Sequence, residues 1–113
     1  MTEADLYSPV LKAASKLGVV LMRNNVGCLP APGRRGIFHR YGLGPGTSDL
    51  IGWRTLSVEG QFVAQIVAIE LKVPGRKPTE NQQRFLDAVV AAGGLAGCVH
   101  SVDEAISLLQ TPL

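Results

Sequence analysis

Two charged residues interrupt an apolar, strand-like stretch. In "VAIELKVPG", Val67 to Gly75, Glu70 and Lys72 stand two residues apart among Val67, Ala68, Ile69, Leu71 and Val73. Alternate side chains of a strand share a face. Glu70 and Lys72 therefore point one way with Ala68 and Ile66, and Ile69, Leu71 and Val73 point the other way, into a core. Asp49 stands upstream in "GPGTSDL", after a glycine-rich turn. If the two segments pair as a hairpin, two carboxylates and one ammonium meet at one end of a sheet. Two carboxylates with room for water hold Mg²⁺ or Mn²⁺, because hard cations take oxygen ligands and magnesium keeps several waters. A metal there can polarise a phosphodiester and lower the pKa of a bound water. Lys72 would stabilise charge developing on the phosphorane or hold the attacking water. Taken alone, "ELK" reads most simply as a solvated Glu–Lys pair, and what surrounds it decides between the readings.

The elements that must position these residues follow from periodicity and caps. Glu3 to Leu17 reads as a helix, with Leu6, Val10, Leu11, Ala14 and Leu17 at helical spacing and Gly18 as the stop. Thr2 and Asp5 form an acidic version of a capping box at its start. Val19 to Arg23 reads as a first strand. Asn24 to Gly46 has no sustained period, holds "CLPAPGRRG" and "GLGPG", and reads as a long loop. Thr47 to Arg54 and Gln61 to Val73 read as the second and third strands, joined by a turn closing on Gly60. Thr79 to Ala92 is the clearest helix: Thr79 caps it, Gln82 completes a capping box, and Phe85, Leu86, Val89 and Val90 form its buried stripe. Leu95 to His100 reads as a fourth strand. Ser101 caps a last helix to Leu109, with Glu104 as box partner. The order α-β-β-β-α-β-α predicts an α/β fold, with a mixed four-stranded sheet flanked by helices.

The chain has 113 residues, 46% hydrophobic and 18% charged, so one domain over residues 1–113 is expected, with no room for a helicase or a separate targeting module. "AVVAAGGLAGCV" is too short and too glycine-broken to span a bilayer. The N-terminus lacks the basic start and apolar core of a signal peptide. A cytoplasmic protein without membrane contact is expected. Cys28 and Cys98 have no partner at metal-ligand spacing and read as unpaired thiols. His39 and His100 read as loop or core residues. "GLGPGT" fails as a dinucleotide fingerprint and lacks the lysine of a phosphate-binding loop, so no organic cofactor is expected.

Charge is uneven. From Val20 to Leu56, Arg23, Arg34, Arg35, Arg40 and Arg54 face only Asp49, a net +4. From Lys72 to Arg84, Lys72, Arg76, Lys77 and Arg84 face only Glu80, a net +3. A basic middle fits a phosphate-backbone partner, and it fits a solvated surface equally well. "PGRRG" reads as an arm that grips phosphates, and Arg23 and Asn24 end the first strand near the presumed site.

"GTSDLIG", then "AIELKVPGRKPTENQQRFLDAVVAAGG", then "AGCVHSVDEAISLL" resemble the VRR-NUC family of the PD-(D/E)XK nuclease superfamily, from "VLMRNNVG" to the last helix. The resemblance implies a restriction-endonuclease-like αβββαβ core plus a C-terminal helix. It implies Asp49 and Glu70 as metal ligands with the backbone carbonyl of Leu71, and Lys72 as the catalytic lysine. Gln82 matches the family's glutamine, touching the metal shell or a phosphate. Glu3 resembles an outer metal ligand; it reads equally as a charge satisfying the helix macrodipole. Arg23, Asn24, Arg34, Arg35, Arg40, Arg76 and Lys77 are the candidate DNA contacts. Small stand-alone members of the family resemble virus-type Holliday-junction resolvases. The resemblance thus implies a Mg²⁺- or Mn²⁺-dependent endonuclease on four-way junctions, acting as a homodimer, in a bacterial or bacteriophage-type protein of the host cytoplasm. The alternatives are a non-catalytic DNA-binding module on a nuclease scaffold, or a nuclease on other branched or linear DNA. A nucleotide-binding α/β protein is disfavoured by the failed phosphate-loop motifs.

Overall fold

The computed structural model describes the backbone of residues 1–113 and every side chain but that of Tyr41. The elements run α1 (Ala4–Lys16), β1 (Val20–Arg23), β2 (Gly27–Pro30), β3 (Phe38–Tyr41), β4 (Leu50–Val58), β5 (Gln61–Leu71), α2 (Glu80–Ala91), β6 (Leu95–Val99) and α3 (Val102–Leu109). The main sheet has the order β1-β4-β5-β6. Its β1–β4 and β4–β5 pairs are antiparallel, and β5–β6 is parallel because α2 carries the chain across. This is the expected mixed four-stranded α/β sheet.

β4 and β5 turn through Glu59 and Gly60, which hold φ of 50° and 80°. Two successive residues at positive φ make the tight hairpin turn that matches strand twist. This turn sets Leu50 opposite Ile69, and so brings Asp49 opposite Glu70.

α1 and α3 cover one face of the sheet, where Leu6, Val10, Leu50, Val67, Ile69, Leu71 and Val99 form the main core. α2 covers the other face over β5 and β6, with Leu86 and Val89 against Ala68. Both faces of Val67–Leu71 are therefore buried. Glu70, which the alternation places on the face opposite the main core, is nevertheless buried at 2% exposure, on the same face that α2 covers at Ala68. Beyond the reach of α2, Val20, Met22, Trp53, Phe62 and Ile66 stay exposed on that same face. Val90, expected in the α2 stripe, is 55% exposed, because the helix rests on Leu86 and Val89.

The stretch from Asn24 to Gly46 is not a featureless loop. β2 and β3 pair antiparallel from Gly27↔Tyr41 to Pro30↔Phe38 as a separate two-stranded sheet. Four-residue strands broken by proline and glycine leave no period to read. The second strand of the main sheet also starts later than expected, at Leu50, so Asp49 sits at its mouth and not within it.

Arg54 does not belong to the basic surface. It is 8% exposed. Its Nη1 donates to the carbonyls of Leu109 (3.2 Å) and Thr111 (2.6 Å), and its Nε to Gln65 Oε1 at 2.6 Å. It thereby satisfies the C-terminal carbonyls of α3, where a cation also complements the helix dipole. At the α1 start, Asp5 accepts from the Thr2 N–H at 2.7 Å, but the N-cap residue is Glu3, whose side chain makes no capping hydrogen bond. At α3, Ser101 accepts from the Glu104 N–H at 3.1 Å, and the Glu104 carboxylate turns to the His100 N–H instead of completing a box.

Gly52 is where β1 meets β4. A Cβ there would lie 1.8 Å from the Val20 carbonyl oxygen. Backbone cannot yield as a flexible side chain can, so Gly52→Ala should push β1 off the sheet. We expect a loss of about 1–3 kcal/mol or more in denaturant unfolding, with Arg23 and Asn24 displaced as β1 moves.

Candidate active site

Asp49 is held from three sides. Its carbonyl accepts from the Asn24 N–H at 2.8 Å, extending the β1–β4 ladder by one step. Its Oδ2 accepts from the Leu71 N–H at 2.8 Å, which ties the carboxylate to the end of β5. The turn before it is pinned by Asn24, whose Nδ2 donates to Thr47 Oγ1 (2.8 Å) and to the Ser48 carbonyl (2.9 Å). Asn24 Oδ1 in turn accepts from the Leu43 N–H at 3.1 Å. The polar groups of the Asn24 side chain are thus engaged within the protein, where they fix the Asp49 turn. The same residue lines the cleft beside Asp49.

Glu70 and Asp49 are side by side on antiparallel strands. Glu70 Oε2 is buried and, among the described residues, is the one such side-chain polar atom without a hydrogen-bond partner. The Glu70 carboxyl is pushed up to about 9. Burial is the largest cause, followed by hydrogen bonding and negative charge from Asp49; Lys72 pulls the other way. A buried oxygen with free lone pairs next to a second carboxylate is a costly arrangement by itself. It is the donor chemistry that a hard divalent cation satisfies, with waters filling the remaining positions. The residues present therefore fit such an ion as a two-carboxylate site. No group of three or more His, Cys, Asp or Glu among the described residues is arranged to hold a metal.

Lys72 follows β5 directly, and its N–H donates to the Val99 carbonyl at 3.1 Å. Its Nζ stands 3.9 Å from Glu3 Oε1. Glu3, at the N-cap position of α1, thus meets the lysine and does not join Asp49 and Glu70 in a three-carboxylate cluster. The Lys72 side chain is 14% exposed and its Glu3 partner 45%, so this ion pair forms at the rim of the site.

Asp49 opens into a cleft of about 560 Å³ that is also lined by Tyr7, Asn25, Thr47 and Gln82. Gln82 completes the expected capping box and also lines the cleft. Its Oε1 accepts from the Thr79 N–H at 2.8 Å, while Thr79 Oγ1 accepts from the Gln82 N–H at 3.2 Å. This leaves the Nε2 hydrogens for a ligand in the cleft.

The remaining basic residues are placed around this centre. Arg23 ends β1 and stacks over the Tyr7 ring, 4.0 Å from its centre. Arg34 and Arg35 lie in the exposed turn between β2 and β3, and Arg40 is exposed on β3. Arg76 and Lys77 are exposed between β5 and α2, where the Arg76 carbonyl lies 2.8 Å from His100 Nε2. None of these six lines the cleft. Tyr7 was missed by the sequence reading. It stands four residues after Glu3 on α1, and that helical spacing was the available signal.

The family model of the VRR-NUC domain matches residues 5–103. Comparison with the curated proteins gives no match, and comparison with the solved structures gives none either.

Proposed function

Because the chain belongs to the VRR-NUC family, and is thus a DNA nuclease of the PD-(D/E)XK type, we propose that it is a divalent-metal-dependent endonuclease that cuts four-way DNA junctions as a homodimer. The observation that carries the metal reading is the buried, unpartnered Glu70 oxygen beside Asp49. Asp49, Glu70 and the Leu71 carbonyl would hold Mg²⁺ or Mn²⁺. When bound, such an ion polarises the phosphodiester and activates a water. Lys72 supplies a positive charge next to this pair and offsets charge that develops on the phosphorane. Gln82 Nε2 donates to a phosphate oxygen in the cleft. Glu70, whose carboxyl burial pushes up, would give up its proton to such an ion, so binding would tighten as pH rises.

Homodimer action is supported by symmetry: a four-way junction needs two cuts, and one chain supplies one site. Arg34, Arg35, Arg40, Arg76 and Lys77 are exposed and would grip phosphates without reading bases. The localisation we propose is the cytoplasm. The substrate reading is tested with labelled four-way junction, flap and linear duplex in Mg²⁺, together with light scattering of the protein alone and on junction. We expect paired, symmetric cuts in the junction by a complex of two chains, at rates at least tenfold above linear duplex. Equal rates on linear duplex would reject the resolvase and leave the nuclease.

A further inference from the structure

Residues four apart on a helix lie one above the other. On α1 this places Glu3 and Tyr7 on one side. Glu3 faces Lys72 at 3.9 Å. Tyr7 and Asp49 line one cleft. From β1, Arg23 lays its guanidinium over the ring of the same tyrosine, 4.0 Å from the centre. One side chain therefore shares a cleft with the Asp49 carboxylate and carries an exposed arginine on its ring.

The two contacts do different things. Asp49 Oδ2 already accepts from the Leu71 N–H, and one hydrogen bond leaves the carboxylate plane free to rotate. A second donor, reaching it from α1 across the shared cleft, would fix it. An arginine resting on a ring loses less freedom when it meets a phosphate, because its planar fork is already oriented. We propose that Tyr7 is a positioning residue of the nuclease centre, its hydroxyl orienting Asp49 for the metal and its ring holding Arg23 for a phosphate of the DNA. This rests on the nuclease reading above and adds a residue to it.

The test separates the two halves of the side chain. Mn²⁺ binding to the metal-free protein is followed by the electron paramagnetic resonance of the free ion. Affinity for uncut four-way junction is measured in EDTA at several salt concentrations. Tyr7→Phe keeps the ring and should weaken Mn²⁺ binding about 10-fold or more, the size of effect seen for groups that orient metal ligands, with junction affinity unchanged. Tyr7→Leu should weaken both, and should add no loss of junction affinity in an Arg23→Ala background. Mn²⁺ binding by Tyr7→Phe within twofold of wild type would overturn the role of the hydroxyl. Junction affinity of Tyr7→Leu equal to wild type would overturn the role of the ring. Wild-type protein that binds no Mn²⁺ would overturn the metal reading and the Tyr7 role together, whereas wild-type binding that Tyr7→Phe leaves intact sinks only the latter.

Discussion

Lys72→Ala is expected to lower the single-turnover rate of DNA cleavage by about 10²–10³-fold, the cost of removing one preorganised charge from a developing oxyanion. The fold should not change. The Lys72 backbone N–H is what bonds to Val99, and that bond survives truncation of the side chain. The side chain's ion pair with Glu3 is long, at 3.9 Å, and its partner is 45% exposed, so its loss costs little stability. Lys72→Arg should not restore the rate, because a planar guanidinium does not replace a compact ammonium in a fitted space. Rapid-quench cleavage with protein in excess measures this step. Cutting by Lys72→Ala at half the wild-type rate would remove the lysine from the chemistry.

Glu70→Gln is expected to abolish metal binding and, in the absence of metal, to make the protein more heat-stable. The sign follows from proton linkage. The folded Glu70 carboxyl is pushed up to about 9 from an ordinary value of 4.5. Between these values the folded chain holds a proton that the unfolded chain releases, so stability falls as pH rises. The contribution is fully present below about 4.5 and is lost by about 9. Glutamine keeps the shape without that linkage. The variant should therefore match wild type near pH 5 and melt several degrees higher by pH 8, where each kcal/mol moves the melting temperature by roughly 4–8 °C. Adding Mn²⁺ should raise the melting temperature of wild type and leave the variant where it was. Scanning calorimetry across pH 5–9, with and without Mn²⁺, measures both effects. A variant less stable than wild type at pH 8 would mean that Glu70 is not held against its own ionisation.

The helices and the main sheet were legible because their signals are local. Thr79 and Gln82 predict a capping box that forms, and the Glu59-Gly60 turn follows from alternating strands on either side. Asp49 and Glu70 were legible because a hairpin register and a two-residue side-chain period bring them together. The burial of Glu70 was not. It depends on α2 crossing back over β5, a packing choice that no spacing within "VAIELKVPG" encodes. Arg54 misled for a similar reason: its partners are carbonyls of Leu109 and Thr111, more than fifty residues away. Asn24 reads as a DNA contact at the end of the first strand, and its role as a clamp was not legible, since its bonds to Thr47, Ser48 and Leu43 exist only once β1 and the Asp49 turn meet. The β2–β3 hairpin escaped because its strands are too short and too rich in proline and glycine to carry a period.

The central claim is that Asp49 and Glu70 form a metal-dependent hydrolytic centre. The most direct measurement is cleavage of labelled four-way junction by wild type and by Asp49→Asn, each with Mg²⁺, Mn²⁺ or EDTA. Wild type should cut with either metal and not in EDTA, and Asp49→Asn should lose at least a thousandfold with its fold intact by circular dichroism. Wild-type cutting that persists in EDTA, or Asp49→Asn cutting at the wild-type rate, would contradict it.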